Sequence, residues 1–378
     1  MGRYQFVRKI LFLTGTRADF GKLKPLIRGV ASDPGLDFLI AATGMHLDDR
    51  YGRTEIEITK SGFDRLISFS NSGNDNAMDL TLARTIQGLS PIIAEYSPDL
   101  LVVHGDRVEA LAGAIVGALN NVRVAHIEGG EFSGTVDELM RHSVTKLSHI
   151  HYVANESARD VVLQLGEHPN SVWMIGSPEV DLMLGSNLPN RASVRAYYEI
   201  PFDTYALLAF HPVTTELDNL KTQVKALTEA VRRSGDQFVV VYPNNDHGSD
   251  IILAELLTLG TSPNVRLIPS VRFEAFQTLL KHAQFILGNS SSGVREACVH
   301  GTPAINIGSR QVGRNPHPLV LDIDATTDAI LHAIAQAKQM TRAPSLVFGD
   351  GKSAHRFLDS LHSERLWSTP VQKVFHRT

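Results

Sequence analysis

The chain has 378 residues, 43% of them hydrophobic and 20% charged, with a formal net charge of -4. That length suits two domains of about 150 to 200 residues each. The composition excludes disordered and collagen-like architectures, and the charge excludes a surface that coats nucleic acid.

Cys298 is the only cysteine, which rules out an internal disulfide and cysteine-cluster zinc sites and fits a reducing compartment. The apolar run near the N-terminus is too short for a signal sequence. No stretch approaches the roughly 18 to 20 apolar residues of a membrane span. A cytoplasmic enzyme or binding protein without membrane or nucleic-acid partners is expected.

Short, nearly continuous apolar runs recur from the N-terminus: "KILFLTG", "DFLIAATG", "DLLVVHGD", "RVAHIEGG", "HIHYVAN" and "VWMIGSP". Such runs are buried on both faces, as parallel strands covered by helices are. Helix-like segments, among them "GKLKPLIRGVAS" and "EALAGAIVGALNN", alternate with them, so the first half reads as repeated βαβ units. A polar, proline-containing stretch follows, and the rhythm restarts with "YALLAFHP", "QFVVVYPNND", "VRLIPS", "QFILGNSS" and "TPAINIG". The expected architecture is α/β, two doubly wound domains facing each other across a ligand cleft. The boundaries are set at residues 1–178 and 179–359, with 360–378 returning to the first domain. Ligands of open α/β sheets sit beyond the carboxyl ends of the strands, where the charged loops fall here.

Several of these loops carry candidate chemistry. "LTGTRADFGKLKPLI" places Arg17 where a bidentate guanidinium could clamp a diphosphate, or where it is simply a solvated side chain. Between Val102 and Ser143, Asp106 and Arg107 close one strand and Glu128 closes the next. Asp137 and Arg141 open a helix at i, i+4 spacing. Carboxylates crowded at one sheet edge repel, so at least one pKa rises unless cations intervene; a salt-bridged loop is the alternative. His211 ends a strand as a phosphate contact or a cap. "GNSSSGVREACVHGTPAINIG" offers Ser290, Ser291 and a helix from about Gly293, suited to phosphate or to ordinary capping. Glu296 lies just beyond, placed for ribose hydroxyls, and Arg310 follows nearby. It is not a P-loop, because the Lys-Ser/Thr pair is absent. "HIEGGE" and "HGDR" lack the paired histidines of a metal site, and no G-x-S-x-G elbow is present.

In combination, "LTGTRADFGKLKPLI", "TGMHL", "YGRT", "HGDR", "HIEGGE", "SGTVDE", "RHSVTKLSHIH", "HPVTTE", "YPNND", "GNSSSGVREA" and "GSRQ" closely resemble the hydrolysing UDP-N-acetylglucosamine 2-epimerases of bacterial sialic and legionaminic acid biosynthesis. The resemblance runs from about residue 9 to 320. It implies the GT-B fold, two Rossmann-like domains with UDP in the cleft and the second domain binding the nucleotide. It implies Asp106, Glu128 and Asp137 as catalytic carboxylates and His211 as the histidine assisting the leaving group. Arg17, Arg107, Arg141, Ser290, Ser291, Glu296 and Arg310 match substrate-binding positions, with Asn244 and Phe276 near phosphate or uracil. Glu138 stands where many relatives carry a second aspartate.

The implied reaction consumes water: UDP leaves, 2-acetamidoglucal forms, and hydration gives N-acetylmannosamine. It requires neither cofactor nor metal. A homodimer or homotetramer is the implied assembly. The same chemistry on UDP-2,4-diacetamido-2,4,6-trideoxyglucose is the alternative substrate reading. A GT-B glycosyltransferase and a noncatalytic UDP-sugar sensor are the rival functions.

Overall fold

The computed structural model describes residues 7–49, 52–73, 77–132, 136–186, 188–213, 215–243, 247–314 and 317–377. Its contacts partition the chain into two compact units. One comprises the chain up to Glu131, Val136–Leu184 and the segment from Phe348 onward; the other comprises Gly185–Val347 with the short stretch beginning at Phe132.

The first unit holds β1 (Arg8–Thr14), β2 (Leu36–Ala42), β3 (Leu66–Ser68), β4 (Leu100–His104), β5 (Arg123–Ile127), β6 (Ile150–Val153) and β7 (Val172–Met174). They form one parallel sheet in the order β3-β2-β1-β4-β5-β6-β7. The second unit holds β8 (Ala206–Ala209), β9 (Phe238–Val241), β10 (Val265–Ile268), β11 (Ile286–Gly288), β12 (Ala304–Ile307) and β13 (Val320–Ile323). These are also parallel, in the order β10-β9-β8-β11-β12-β13. Both units are therefore Rossmann-like, of the GT-B-like class, each with its strand order reversing next to its first strand.

Successive side chains of a strand point to opposite faces, and here both faces are apolar. Ile10, Phe12, Leu100 and Val102 enter one core of the first unit, while Leu11, Leu13, Leu101 and Val103 enter another. In the second unit Ala206 and Leu208 are split from Leu207 in the same way. This is why the sequence shows unbroken apolar runs rather than alternation. The edge strands β3 and β13 lack such runs: Ile67 and Ser68 are exposed, and no residue of Val320–Ile323 is fully buried. Helix Arg17–Ala31 buries Phe20, Leu23, Leu26, Ile27 and Val30 at helical spacing and starts on Thr16, whose side chain accepts from the Asp19 N–H.

Three local features depart from the sequence reading. β4 ends at His104, because Gly105 turns the chain at φ +71°, so Asp106 lies in the turn and Arg107 caps the following helix. Glu128 likewise falls just after β5. The helix expected from about Gly293 starts earlier, at Ser291, and is broken at Arg295 into Ser291–Val294 and Glu296–His300.

From Phe348 the chain packs in the first unit. Phe357, fully buried, lies 6.3 Å from Phe12 and 5.0 Å from Tyr152 between ring centroids, and the Tyr152 hydroxyl meets Ser360 Oγ at 2.6 Å. Arg123 donates to the carbonyls of Thr369 and Trp367, both at 2.9 Å. Lys373 Nζ donates to the carbonyls of Thr145, Lys146 and Ser148, closing the C-terminal end of helix Val136–Leu147, and pairs with Glu167 at 2.6 Å. Glu167 also pairs with Lys146 at 2.7 Å and His151 at 3.0 Å. Burial would raise its pKa, but His151, Lys373 and Lys146 outweigh that and hold it at about 2.

Two outcomes follow from this packing. Phe357→Ala removes a buried ring and should cost the first unit about 3–5 kcal/mol, read as a lower urea midpoint. An unchanged midpoint would mean the tail contributes no core. Because the folded pKa of Glu167 is depressed, its contribution is full above the ordinary 4.5 and lost as pH falls through about 2. The stability gap between the native chain and Glu167→Gln should therefore shrink on acidification, as urea titrations across that window will show.

Candidate active site

The order of the first sheet sets β1, β4 and β5 side by side, with Leu100–His104 registered against Arg123–Ile127. The Gly105 N–H continues the pairing onto the Ile127 carbonyl at 3.0 Å, so the turns after β4 and β5 emerge together. Arg141, only 3% exposed, crosses them: Nη1 donates to the Glu128 carbonyl at 2.6 Å and Nη2 pairs with the Asp106 carboxylate. Glu128 adopts φ +63°, a left-handed conformation that costs a non-glycine residue about 1 kcal/mol. It is held there by its N–H on the Tyr152 carbonyl at 2.9 Å and by Arg141 on its own carbonyl.

The Glu128 side chain is 4% exposed and enclosed by polar partners. Ser177 Oγ donates to Oε1, and His104 Nε2 lies 3.0 Å from Oε2. The other imidazole nitrogen, Nδ1, is 2.8 Å from Asp19 Oδ1, and Asp19 Oδ2 accepts the Gly15 N–H at 3.1 Å. Lys22 Nζ stands 3.8 Å from Glu128 Oε2 and 2.5 Å from Glu179 Oε2. Burial alone would lower the His104 pKa; Glu128 and Asp19 outweigh it and raise it to about 9. Cations thus do intervene among the carboxylates, the second of the two arrangements that the sequence allowed. Behind them His126, bonded to the Gly105 carbonyl at 2.8 Å and to Thr145 Oγ1 at 3.0 Å, is driven by burial down to about 3 and stays neutral.

Of the remaining candidates in this unit, Asp137 sits half-buried in the first turn of helix Val136–Leu147, one turn before Arg141. Arg107 Nε is 3.4 Å from Glu109 Oε2. Glu109 is 6% exposed and packs beneath Gly15 and Gly44: a Cβ at Gly15 would lie 2.8 Å from its Cδ. Arg17 opens its helix and pairs with Glu57 at 2.9 Å.

In the second unit the strand order reverses between β8 and β11, and Asn289 ties their ends together. Its Oδ1 accepts the His211 N–H at 2.7 Å and its Nδ2 donates to the His211 carbonyl at 2.8 Å. The Asn289 carbonyl accepts Arg310 Nη1 at 3.1 Å and Gln311 Nε2 at 3.0 Å. Asn289 therefore gathers His211 through its side-chain amide and Arg310 through its backbone carbonyl. The strands run close here, since Gly288 has φ +136° and a Cβ on it would meet the Ala209 carbonyl oxygen at 2.0 Å. Burial, with Arg310 nearby, lowers the His211 pKa to about 3, so its imidazole is neutral.

Ser290 caps Ser291–Val294, its Oγ facing the Ser292 N–H at 3.4 Å and the Ser292 Oγ at 2.9 Å. Glu296 is 7% exposed, and its Oε2 has no hydrogen-bond partner among the described residues. Phe276 is half-buried on helix Phe273–His282, against a core of this unit. Asn244 lies outside the described residues.

The sequence reading did not single out Asp19, Lys22, His104, Ser177, Glu179 or Asn289. His104 and Asn289 had a local signal, a polar residue at the end of an apolar strand. Ser177 and Glu179 had none, since only the fold brings "GSPE" beside β5. Among the described residues no group of three or more His, Cys, Asp or Glu side chains could hold a metal ion, and no helix is long and apolar enough to cross a membrane.

Comparison with known proteins places the chain in a family. The profile described as UDP-N-acetylglucosamine 2-epimerase covers residues 28–362. The chain is 43% identical to "UDP-N-acetylglucosamine 2-epimerase" of Neisseria meningitidis serogroup B, over 98% of this chain and 99% of the relative. It is 33% identical to "UDP-N,N'-diacetylbacillosamine 2-epimerase (hydrolyzing)" of Legionella pneumophila, over 97% and 99%. Among solved structures, UDP-GlcNAc 2-epimerase from Neisseria meningitidis bound to UDP-GlcNAc superposes with a TM-score of 0.80 at 18% identity, covering 94% of this chain and 99% of that one. The Methanocaldococcus jannaschii UDP-GlcNAc 2-epimerase in complex with UDP-GlcNAc and UDP gives 0.79 at 22% identity, with 94% and 99% coverage, and shares the fold. The chain belongs to the UDP-N-acetylglucosamine 2-epimerase family.

Proposed function

We propose that the chain hydrolyses UDP-N-acetylglucosamine to UDP and N-acetylmannosamine, the second unit holding the nucleotide and the first handling the sugar. The observation that carries this reading is the Arg141 guanidinium joining the Asp106 carboxylate to the Glu128 backbone at neighbouring strand ends. The name of the Neisseria relative supports the substrate, and that of the Legionella relative supports a hydrolytic course.

The chemistry asks for these groups. The C2 proton of the sugar is not beside a carbonyl, so an ordinary carboxylate cannot remove it first. As the C1–O bond to UDP breaks, the ring gains positive charge and the C2–H becomes acidic. Asp106, Glu128 and Asp137 stabilise that charge, and one of them takes the proton, giving 2-acetamidoglucal. Water then adds its hydroxyl to C1 while a carboxylic acid protonates C2 from the other face. Ser290, Ser291, Arg310 and Arg17 serve the departing diphosphate. As a neutral imidazole, His211 offers it one N–H. The partnerless Glu296 oxygen suits the ribose hydroxyls. The 2,4-diacetamido trideoxy sugar is the second substrate reading, favoured by the Legionella relative.

An NMR time course in deuterated water with each nucleotide sugar tests the reading: UDP and a 2-epimerised free sugar carrying deuterium at C2 are expected without any acceptor. Binding without turnover would identify a sensor, and dependence on an acceptor a glycosyltransferase. Asp106→Asn and Glu128→Gln should each lower turnover by about 10²–10⁴-fold while the UDP dissociation constant moves by less than about threefold. Near-normal turnover in either variant contradicts the assignment.

A further inference from the structure

We propose that His104 is a positioning residue that stands as a fixed cation behind Glu128, so that Glu128 meets the sugar ionised and serves as anion and base while another carboxylate supplies the acid. The proposal rests on the reading above that Glu128 faces the substrate.

The geometry is a line of three groups. Asp19 Oδ1 lies 2.8 Å from His104 Nδ1, and Glu128 Oε2 lies 3.0 Å from His104 Nε2. A neutral imidazole carries one N–H and can donate to only one carboxylate, whereas an imidazolium donates to both. The side chains of His104 and Glu128 are 9% and 4% exposed, so water does little to screen the pair.

The charged groups around His104 come from every neighbouring element. Helix Arg17–Ala31 supplies Asp19 and Lys22, and the turn after β5 supplies Glu128. Helix Pro178–Leu184 supplies Glu179, paired with Lys22. Helix Val136–Leu147 supplies Arg141, which neutralises Asp106 and holds the Glu128 carbonyl. His126 behind is neutral. Among the described residues Asp19 and Glu128 thus flank His104, while Lys22 pairs with Glu179 and lies near Glu128. Proton loss from His104 would remove the positive charge that stands between the Asp19 and Glu128 carboxylates in a buried place, and the imidazole pKa, raised to about 9 by those two groups, agrees.

Both Glu128 oxygens are also held against protonation, Oε1 by the Ser177 hydroxyl and Oε2 by His104 with Lys22 near. Hydrogen bonds donated to a carboxylate favour its charged form. Asp19 pairs with the imidazole at the nitrogen that does not face Glu128, the place a carboxylate takes behind a metal-bound histidine.

Two measurements test this. The first needs no turnover: ¹⁵N NMR of the intact chain, with His104 assigned by its loss in His104→Gln. Both ring nitrogens should be protonated at about pH 7.5 and titrate well above the ordinary histidine range, and Glu128→Gln should lower that midpoint by about one unit or more. A neutral His104 at that pH, or a midpoint indifferent to Glu128→Gln, overturns the proposal. The second is the kcat pH profile of His104→Gln. Its acidic limb should move up by about one unit, with kcat lowered about 10–100-fold at neutral pH and KM nearly unchanged. A uniform fall with the limb unmoved marks a merely structural histidine and also overturns it. A native chain that turns over neither nucleotide sugar sinks the reading of the reaction, while the NMR titration still decides the charge on His104.

Discussion

Arg141 is the interaction on which the first unit's site depends. Parallel strands in register bring the turns after β4 and β5 to the same sheet edge, but two acidic side chains emerging there would repel. The buried guanidinium binds one of them through its carboxylate and the other through its backbone. That second contact holds Glu128 at a positive φ that few non-glycine residues adopt. A buried ion pair of this kind gains little net stability, because desolvation offsets much of the attraction. Its effect is conformational: it fixes where two carboxylates point.

The second unit solves the equivalent problem with a neutral group. Both sheets reverse their strand order beside the first strand, which opens a place for ligand at the carboxyl edge. In the second unit Asn289 staples the two neighbouring strand ends through backbone groups of His211. It leaves hydroxyls, an imidazole and a guanidinium as the polar surface. In the first unit the same position holds carboxylates with buried counter-cations. One edge therefore presents hydroxyls, a neutral imidazole and a guanidinium, and the other carboxylates with their counter-cations.

Much of this was legible in the sequence. Strands covered on both faces write themselves as apolar runs, so the internal strands could be read, and the edge strands β7 and β10 with them, whereas β3 and β13 at the opposite edges, part-exposed, were not. Asp106, Glu128 and Arg141 could be named because parallel strands end together and because the helix spacing is regular. What could not be read was the partner of each charge. Asp19 and Ser177 reach the His104–Glu128 pair, and Glu179 the neighbouring Lys22, from elements far apart in the chain, and nothing in "TRAD" or "GSPE" alone marks them. The break at Arg295 and the turn at Gly105 are local backbone conformations, to which apolar patterning is blind.

A crystal structure of the chain with UDP and 2-acetamidoglucal measures the central claim most directly. The account places C2 of the glucal within about 3.5 Å of an oxygen of Asp106 or Glu128, with the diphosphate on Ser290, Ser291 and Arg310. A glucal seated away from both carboxylates, or a diphosphate held by other residues, would contradict it.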